Sequence, residues 1–157
     1  MRQKSFVALV AFLFTFSCCV AGCHNDYSAT PSQNINENNP ITSRMKITIG
    51  ATVFAATLYD NPAADALKAM LPLTINMTEL NNNEKYYDLP NQLPANASVG
   101  GAIKAGDLAL YGSNTLVLFY KSFPTSYSYT KIGFIHDPTG LATALGNGNV
   151  QVKFENN

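Results

Sequence analysis

The sequence has little charge and few groups suited to catalysis or metal binding. Asp, Glu, Lys and Arg make up 13% of the 157 residues, whereas about 25% is usual in soluble domains. No basic run occurs, so we expect no nucleic-acid partner. His136, beside Asp137 and just before a predicted helix, is interpreted as structural. Because metal sites need several ligands at close spacing, we predict no metal and no cofactor.

Cysteine is also scarce, and all three residues, Cys18, Cys19 and Cys23, lie near the N-terminus. They follow a basic start and an apolar stretch over residues 6–16, which is the pattern of a secretory signal. That stretch is shorter than the ~20 apolar residues of a membrane-spanning helix. Cleavage after the signal would leave the folded part without a disulfide, so its stability must come from its core.

Residues 20–23, Val-Ala-Gly-Cys, resemble the lipobox of bacterial lipoproteins. The resemblance implies that residues 1–22 are a lipoprotein signal peptide and that Cys23 receives lipid. The alternative is an ordinary signal peptide with incidental cysteines. With lipid on Cys23 the partner is a membrane, and we expect an exported protein in the bacterial cell envelope. Because His24 rather than Asp follows the cysteine, the resemblance further implies the outer membrane where the host has one.

The next segment, residues 23–44, is rich in Asn and has only Tyr27, Ile35 and Ile41 as sizeable apolar residues. Such a composition cannot bury enough surface to offset the cost of ordering. We therefore predict a lipidated cysteine followed by a flexible tether that spans ~25 Å on average. Arg44, the only arginine after the signal, falls in this tether. The folded domain is predicted to occupy residues 45–157.

Within that domain the patterns predict many strands and two short helices. Alternating residues before and after 50–51 predict a hairpin. A helical period that begins with a capping Asn and a Pro at the first position predicts a helix at about 62–70. A capping Asp, a Pro at the first position and a Gly at the end predict a second helix within 137–146. The other strand-like segments are LTINMTEL, KYYDLP, DLALYG, TLVLFYK, YSYTKIGFI and VQVKFE, with a possible short strand at 98–103.

The order of these elements favours a closed barrel. Two strands, a helix, about five strands, a helix and a last strand follow one another along the chain. Val150, Val152 and Phe154 of the last strand should face the core, because they alternate with polar residues. A closed barrel leaves few exposed strand edges, which suits a domain of many antiparallel strands.

Two long segments carry a resemblance to a known family. AATLYDNPAADALKAMLPLTINMTELNNNEKYYDLP and AGDLALYGSNTLVLFYKSFPTSYSYTKIG resemble the bacterial cyclophilin-like domain family. The resemblance covers nearly all of residues 45–157. It implies a mainly β fold, the closed eight-stranded cyclophilin-like β-barrel capped by two short helices. The family has no established general activity.

Isomerase activity is the only enzyme activity with any support. True cyclophilins are peptidyl-prolyl isomerases with an Arg beside a Phe in an FHR-like strand, followed by Phe-Met and Gln-Gly-Gly-Asp segments, and this sequence has none of these motifs. Lys is no substitute for the Arg, because it lacks the planar fork of donors. Ser126 and Ser128 have no histidine nearby in sequence, so a nucleophilic triad is not indicated. We therefore predict no catalytic residues.

A group of tyrosines and hydroxyl residues provides the candidate ligand site. Tyrosine combines a flat apolar ring with a polar tip, which binding sites use often. The alternative is that the same rings form core or a cross-strand aromatic ladder. The candidate ligand-binding residues are Tyr86, Tyr87, Tyr120, Lys121, Ser126, Tyr127 and Tyr129, and Tyr111 belongs to the same group of tyrosines.

Three functions remain open from the sequence. The first is a membrane-anchored, non-catalytic binding module for a small polar ligand, an extended peptide or a glycan. The second is a peptidyl-prolyl cis-trans isomerase that acts on exported proteins. The third is a structural lipoprotein that docks a partner. The direction in which the tyrosine hydroxyls point would separate the first function from the third.

Overall fold

The structure, a computed structural model, describes residues 43–157. The predicted signal peptide, the lipidation site Cys23 and the tether as far as residue 42 lie outside the described residues. No helix within the described part is long and apolar enough to cross a membrane.

Residues 43–157 form nine strands and two short helices in the predicted order. The predicted hairpin, the first helix and the possible strand at 98–103 are present. The second helix is present but shorter than predicted: it begins at Leu141 after Gly140, so Asp137 does not cap it and Pro138 is not its first residue. The elements are β1 Ser43–Ile49, β2 Thr52–Leu58, α1 Pro62–Ala69, β3 Leu73–Leu80, β4 Glu84–Asp88, β5 Ser98–Ile103, β6 Asp107–Tyr111, β7 Thr115–Phe119, β8 Phe123–Ile135, α2 Leu141–Leu145 and β9 Val150–Asn156.

Eight of these strands close into an antiparallel barrel in the order β2-β1-β9-β3-β4-β7-β6-β8, and β8 pairs with β2 to complete it. The predicted closed eight-stranded barrel with two short helices is therefore confirmed. Gly133 lies at the closure, where a Cβ would stand 2.3 Å from the carbonyl oxygen of Thr57. Only glycine lets β8 approach β2 this closely.

The ninth strand, β5, lies outside the barrel and pairs with the first half of β8. Together these strands form a two-stranded ribbon that continues from the barrel wall. A Cβ on Gly100 would stand 2.8 Å from the side chain of Thr125. The glycine therefore permits the two strands of the ribbon to pack closely.

The start of the barrel corrects one expectation. β1 begins at Ser43, and Arg44 stands opposite Thr57 in the ladder between β1 and β2. Arg44 is therefore part of a barrel strand and not of the tether. The sequence did not indicate this start of the strand, because Ser and Arg are both polar and precede the alternating apolar residues of β1.

The barrel interior holds the main core. Met45, Ile47 and Ile49 of β1 are buried, and they face Val152 and Phe154 of β9, which are fully buried. Val150 is half-buried against the same core. The predicted inward face of the last strand is thereby confirmed.

Helix α1 covers part of this core with Ala63, Ala64 and Leu67, which are all buried. The side-chain oxygen of Asn61 accepts a hydrogen bond of 3.0 Å from the backbone N–H of Ala64, so Asn61 caps the helix as predicted. Pro62 stands at the first helical position, where its missing N–H costs nothing.

A second, smaller apolar cluster lies on the outer face of the barrel. Because alternate residues of a strand point to opposite faces, Leu108, Leu116 and Leu118 join the interior while their neighbours point outward. The outer cluster contains Ile103, Ala109, Val117, Phe119 and Tyr129, with Tyr86 and Phe123 packed against it. This cluster forms the floor on which the candidate site is built.

Candidate functional site

An open groove of about 390 Å³ crosses the outer face of the barrel. Ligand pockets for small molecules span roughly 300–1,000 Å³, so its size suits a small ligand. Residues from β3, β4, β6, β7, β8 and the turn after β3 line it, and we call it the outer groove. Its lining residues are Leu80, Asn81, Glu84, Tyr86, Asp88, Tyr111, Thr115, Val117, Tyr127 and Tyr129.

Strand β4 contributes three of these side chains because of its period of two. Glu84, Tyr86 and Asp88 point outward into the groove, whereas Lys85 and Tyr87 point to the interior. In the ladders Tyr86 stands opposite Thr78 of β3 and Val117 of β7. The rigid centre of the barrel wall thus positions the groove's acidic groups.

The tyrosines of the groove contact one another across strands. The ring centroid of Tyr111 lies 6.2 Å from that of Tyr127, edge to face, and 5.7 Å from that of Tyr129. Tyr129 also meets Phe119 edge to face at 5.4 Å. Tyr129 is 7% exposed and belongs to the outer cluster, whereas Tyr127 is 63% exposed. The ladder is therefore packed at one end and open at the other.

Glu84 is the unusual polar group of the groove. It is only 7% exposed, yet within residues 43–157 no donor bonds to its carboxylate, and the donors of nearby Lys85 and Tyr120 bind Glu79 instead. Burial raises the pKa of Glu84, and the charge of Glu79 raises it further. Desolvation disfavours the charged form of a carboxyl group. The oxygens of Glu84 nevertheless keep access to the solvent of the groove, because Asn83 alone among residues 43–157 has a fully buried side-chain oxygen or nitrogen without a partner.

The second acidic group, Asp88, lies in the same groove and is exposed. It accepts a hydrogen bond of 2.6 Å from the hydroxyl of Thr115 on the neighbouring strand. One of its oxygens is thus engaged while solvent reaches the side chain. The two carboxyl groups give the groove an acidic character, and no Lys or Arg belongs to the lining.

A smaller groove of about 280 Å³ adjoins the first and shares Asn81, Glu84, Tyr127 and Tyr129 with it. The turn between β3 and β4 supplies part of its wall. Asn81 and Asn82 have positive φ angles of 54° and 55°, which asparagine adopts more readily than most residues.

The side-chain oxygen of Asn83 lies in the wall of this smaller groove. It is buried and has no hydrogen-bond partner in the part of the chain that the structure describes. A second acceptor without a partner therefore lies close in sequence to Glu84. Buried polar groups without partners are rare and call for a physical explanation.

The hydroxyl of Tyr129 remains protonated over the whole neutral range. Burial raises the pKa of Tyr129 to about 12, with further contributions from the charges of Glu84, Tyr111 and Tyr127. The hydroxyl can therefore act as a neutral donor or acceptor. It does not add negative charge to the groove under ordinary conditions.

The structure places four of the seven candidate residues around these grooves. Tyr86, Tyr127 and Tyr129 line the outer groove, and Ser126 lines the adjoining one together with Tyr127 and Tyr129. Tyr111 completes the set of rings. Tyr127 and Tyr129 line the same groove because alternate residues of a strand point to the same face.

The other three candidates lie elsewhere. Tyr87 packs against the interior core. The hydroxyl of Tyr120 donates a hydrogen bond of 2.8 Å to Glu79, and burial, followed by this carboxylate, raises the pKa of Tyr120 to about 12. Lys121 is exposed in the connection between β7 and β8 and lines neither groove.

Sequence reasoning missed Glu84 and Asp88. Glu84 follows three asparagines, a composition typical of a turn, but the turn ends at Asn83 and Glu84 is the first residue of β4. The signal was present, because a strand that places Tyr86 on one face must also place the residues two positions away on that face.

The histidine of the domain is engaged within the fold. Its Nε2 atom lies 2.6 Å from the hydroxyl oxygen of Thr57 on β2, and its ring stacks at a tilt against Phe134. These contacts agree with the structural role expected for His136. Across residues 43–157, no three His, Cys, Asp or Glu side chains are grouped so that they could hold a metal ion.

Comparison with known proteins identifies a family and solved structures of similar fold. A family model described as the cyclophilin-like family matches residues 47–155. The solution structure of the hypothetical protein AF2241 from Archaeoglobus fulgidus aligns with a TM-score of 0.51 and 16% identity, covering 77% of this chain and 99% of that one. At this identity the likeness concerns the fold alone. No curated protein matches the sequence.

Proposed function

The chain belongs to the cyclophilin-like family, and from that premise we propose that it is a non-catalytic binding module that holds a small polar ligand in the outer groove. The observation that carries this proposal is the pairing of exposed tyrosine rings with the largely buried side chain of Glu84, whose carboxylate receives no hydrogen bond from residues 43–157. Concave surfaces with a few convergent polar groups on an apolar floor are the usual form of ligand sites.

Binding explains the groove better than isomerase chemistry does. Twisting a prolyl amide requires a donor aimed at its nitrogen, and the lining of the outer groove includes no Arg, Lys or His. Arg44 lies on β1, which contributes nothing to this lining. The acceptors Glu84 and Asp88 have the opposite polarity to the one that amide rotation needs.

The proposal includes an anchor at the membrane. Its support is the sequence alone, namely the lipobox-like segment that ends at Cys23 after a basic and apolar start. Lipoproteins of this kind carry more than one acyl chain, and stable anchoring requires more than one. Cys23→Ser should leave the signal uncut or release the protein from membranes. A variant that fractionates with membranes at the wild-type level and at mature size would contradict the anchor.

Screening of small polar fragments by NMR on the purified protein tests the binding function. We expect shifts at the backbone amides of Tyr111, Tyr127 and Glu84, and loss of those shifts in Tyr127→Ala. Lys121→Ala is the matched control. Lys121 is exposed and lies near Tyr127 in the sequence, but it lines neither groove. Fragments that bind with equal affinity to Tyr127→Ala, or none that bind at all, would contradict the proposal.

A further inference from the structure

We propose that the ligand of the outer groove is a small organic cation, an ammonium group that carries apolar substituents. This inference rests on the proposed function, because it names the chemistry of a ligand for that same groove. Four features of the groove carry it: the sign of its charge, the unpartnered state of Glu84, its aromatic walls and its apolar floor.

The charge of the groove has one sign. Its titratable lining consists of Glu84, Asp88 and four tyrosines, and no basic side chain is part of that lining. The adjoining groove adds only uncharged groups. An anionic ligand would meet a carboxylate without any compensating donor, whereas a cation would meet complementary charge.

Glu84 supplies the reason why a cation would be held and not merely attracted. The side chain of Glu84 is largely buried, so its carboxylate loses part of its hydration, although its oxygens keep access to the solvent of the open groove. No donor among residues 43–157 offers it a hydrogen bond. A bound cation would supply the missing opposite charge, which a neutral ligand of the same shape does not.

The tyrosine rings fit the same ligand. An ammonium or alkylammonium ion near the face of an aromatic ring is attracted by the negative charge of that face, with more effect when the site excludes water. The rings of Tyr86, Tyr111, Tyr127 and Tyr129 all line the groove that holds Glu84. The hydroxyl of Tyr129 stays neutral, because burial raises its pKa to about 12.

The floor favours an organic cation over a metal ion. Val117 and Leu80 line the groove between the polar groups, so a ligand with methyl or methylene groups would bury apolar surface there. Divalent ions need several oxygen ligands converging on one point. The described residues offer no such group around this groove.

The proposal predicts a pH dependence. The charge of Glu79 on β3 acts on Glu84. The other titratable groups of the groove are Asp88 and Tyr86 on the same strand, Tyr111 on β6, and Tyr127 and Tyr129 on β8. Its carboxyl group has a raised pKa in the free protein. Binding of a cation should therefore weaken as pH falls through that pKa, because protonation removes the charge that holds the ligand.

Choline and its neutral isostere 3,3-dimethylbutan-1-ol provide the test, with binding to the purified protein followed by NMR titration. We expect choline to shift the amides of the groove and to bind at least about tenfold more tightly than the neutral alcohol, a difference of 1.4 kcal/mol. Glu84→Gln should reduce the affinity for choline by a similar factor. Glu155→Gln removes a carboxylate on β9, away from the groove, and should change the affinity less than twofold.

The outcomes separate this inference from the proposed function. Equal binding of choline and the alcohol would overturn the proposal of a cationic ligand, and so would choline binding that Glu84→Gln leaves unchanged. In both cases the groove would remain a binding site. Failure of choline alongside neutral fragments that do bind would do the same. Failure of every probe, charged and neutral, would overturn both.

Discussion

Two neighbouring residues of β4 show how differently the two faces of this barrel treat a buried charge. Lys85 points to the interior and is completely buried. It forms an ion pair with Glu79 and donates hydrogen bonds of 2.8 Å and 2.7 Å to the carbonyl oxygens of Gly146 and Gly148, at the end of α2. Glu84 points to the outer groove, is nearly as buried, and has no partner among the described residues.

The difference separates a charge that holds the fold from a charge that makes no hydrogen bond within it. All three donor positions of Lys85 are used, so its charge ties β3, β4 and the segment after α2 together. Glu84 forms no such connection, and we expect its partly desolvated carboxylate to cost the free protein stability. Groups of this kind are common in binding sites, which is the role proposed here for Glu84.

The tyrosines repeat this contrast. On the interior side Tyr87 joins the core and Tyr120 hydrogen-bonds to Glu79, so both are components of the fold. On the outer side the rings of Tyr111 and Tyr127 are exposed and contact each other. Their exposure costs the apolar contacts that burial would give, which fits a surface that a ligand covers.

The largest effect should come from opening a cavity in the interior. Phe154→Ala removes a fully buried ring and should lower the free energy of unfolding by about 4 kcal/mol, within the usual range for buried aromatic residues. Chemical denaturation measures this change. A loss below about 0.5 kcal/mol would mean that the last strand does not belong to the core.

The partnered charge should be the next most costly to remove. Lys85→Met keeps the length of the side chain but leaves Glu79 and two carbonyl oxygens without their donor. We expect a loss of about 3 kcal/mol in the free energy of unfolding, at the low end for broken buried ion pairs, because Glu79 keeps some exposure. Unchanged stability would show that Lys85 is not part of what holds the barrel.

Removal of the charge of Glu84 should stabilise the protein, in contrast to removal of the charge of Lys85. The folded state holds the proton of Glu84 more tightly than the unfolded chain does, since its pKa is raised. Its contribution to stability is therefore fully present below the unfolded pKa and is lost as pH rises through the folded pKa. At pH 7 Glu84→Gln should raise the free energy of unfolding by about 1 kcal/mol. Destabilisation by the variant would show that Glu84 has a structural partner.

The smallest effect should appear in catalysis. The purified protein should leave the isomerisation rate of a Pro-containing tetrapeptide at its uncatalysed value, because the lining of the outer groove includes no Arg, Lys or His that could donate to the prolyl nitrogen. A protease-coupled assay measures this rate. Turnover that Tyr127→Ala abolishes would place an isomerase activity in the groove and overturn the binding module.

Periodicity and capping residues predicted most of the barrel. Asn61 and Pro62 mark the start of α1, and the alternation around Val152 and Phe154 predicts the inward face of β9. Arg44 escaped prediction because pairing with β2, and not its own apolar pattern, extends β1. Long-range pairing of this kind leaves no local signal.

The site was predictable only in part. Tyrosine was the correct residue type to follow, but composition does not decide which face a ring occupies. Adjacent residues of a strand point to opposite faces, so Tyr86 lines the groove while Tyr87 enters the core. A shift of one residue exchanges the two faces. The register that places Glu84 beside the tyrosines is set by its pairing with Leu80 and Phe119.

The pKa of Glu84, measured by NMR titration of its side-chain carboxyl carbon, tests the central claim most directly. The account predicts a value above the ordinary 4.5 in the free protein, and a lower value when choline saturates the groove, because a bound cation stabilises the carboxylate. Glu155 provides an internal reference on the same protein. A pKa of Glu84 at or below the ordinary value in the free protein would contradict the claim that its carboxylate is buried without a partner.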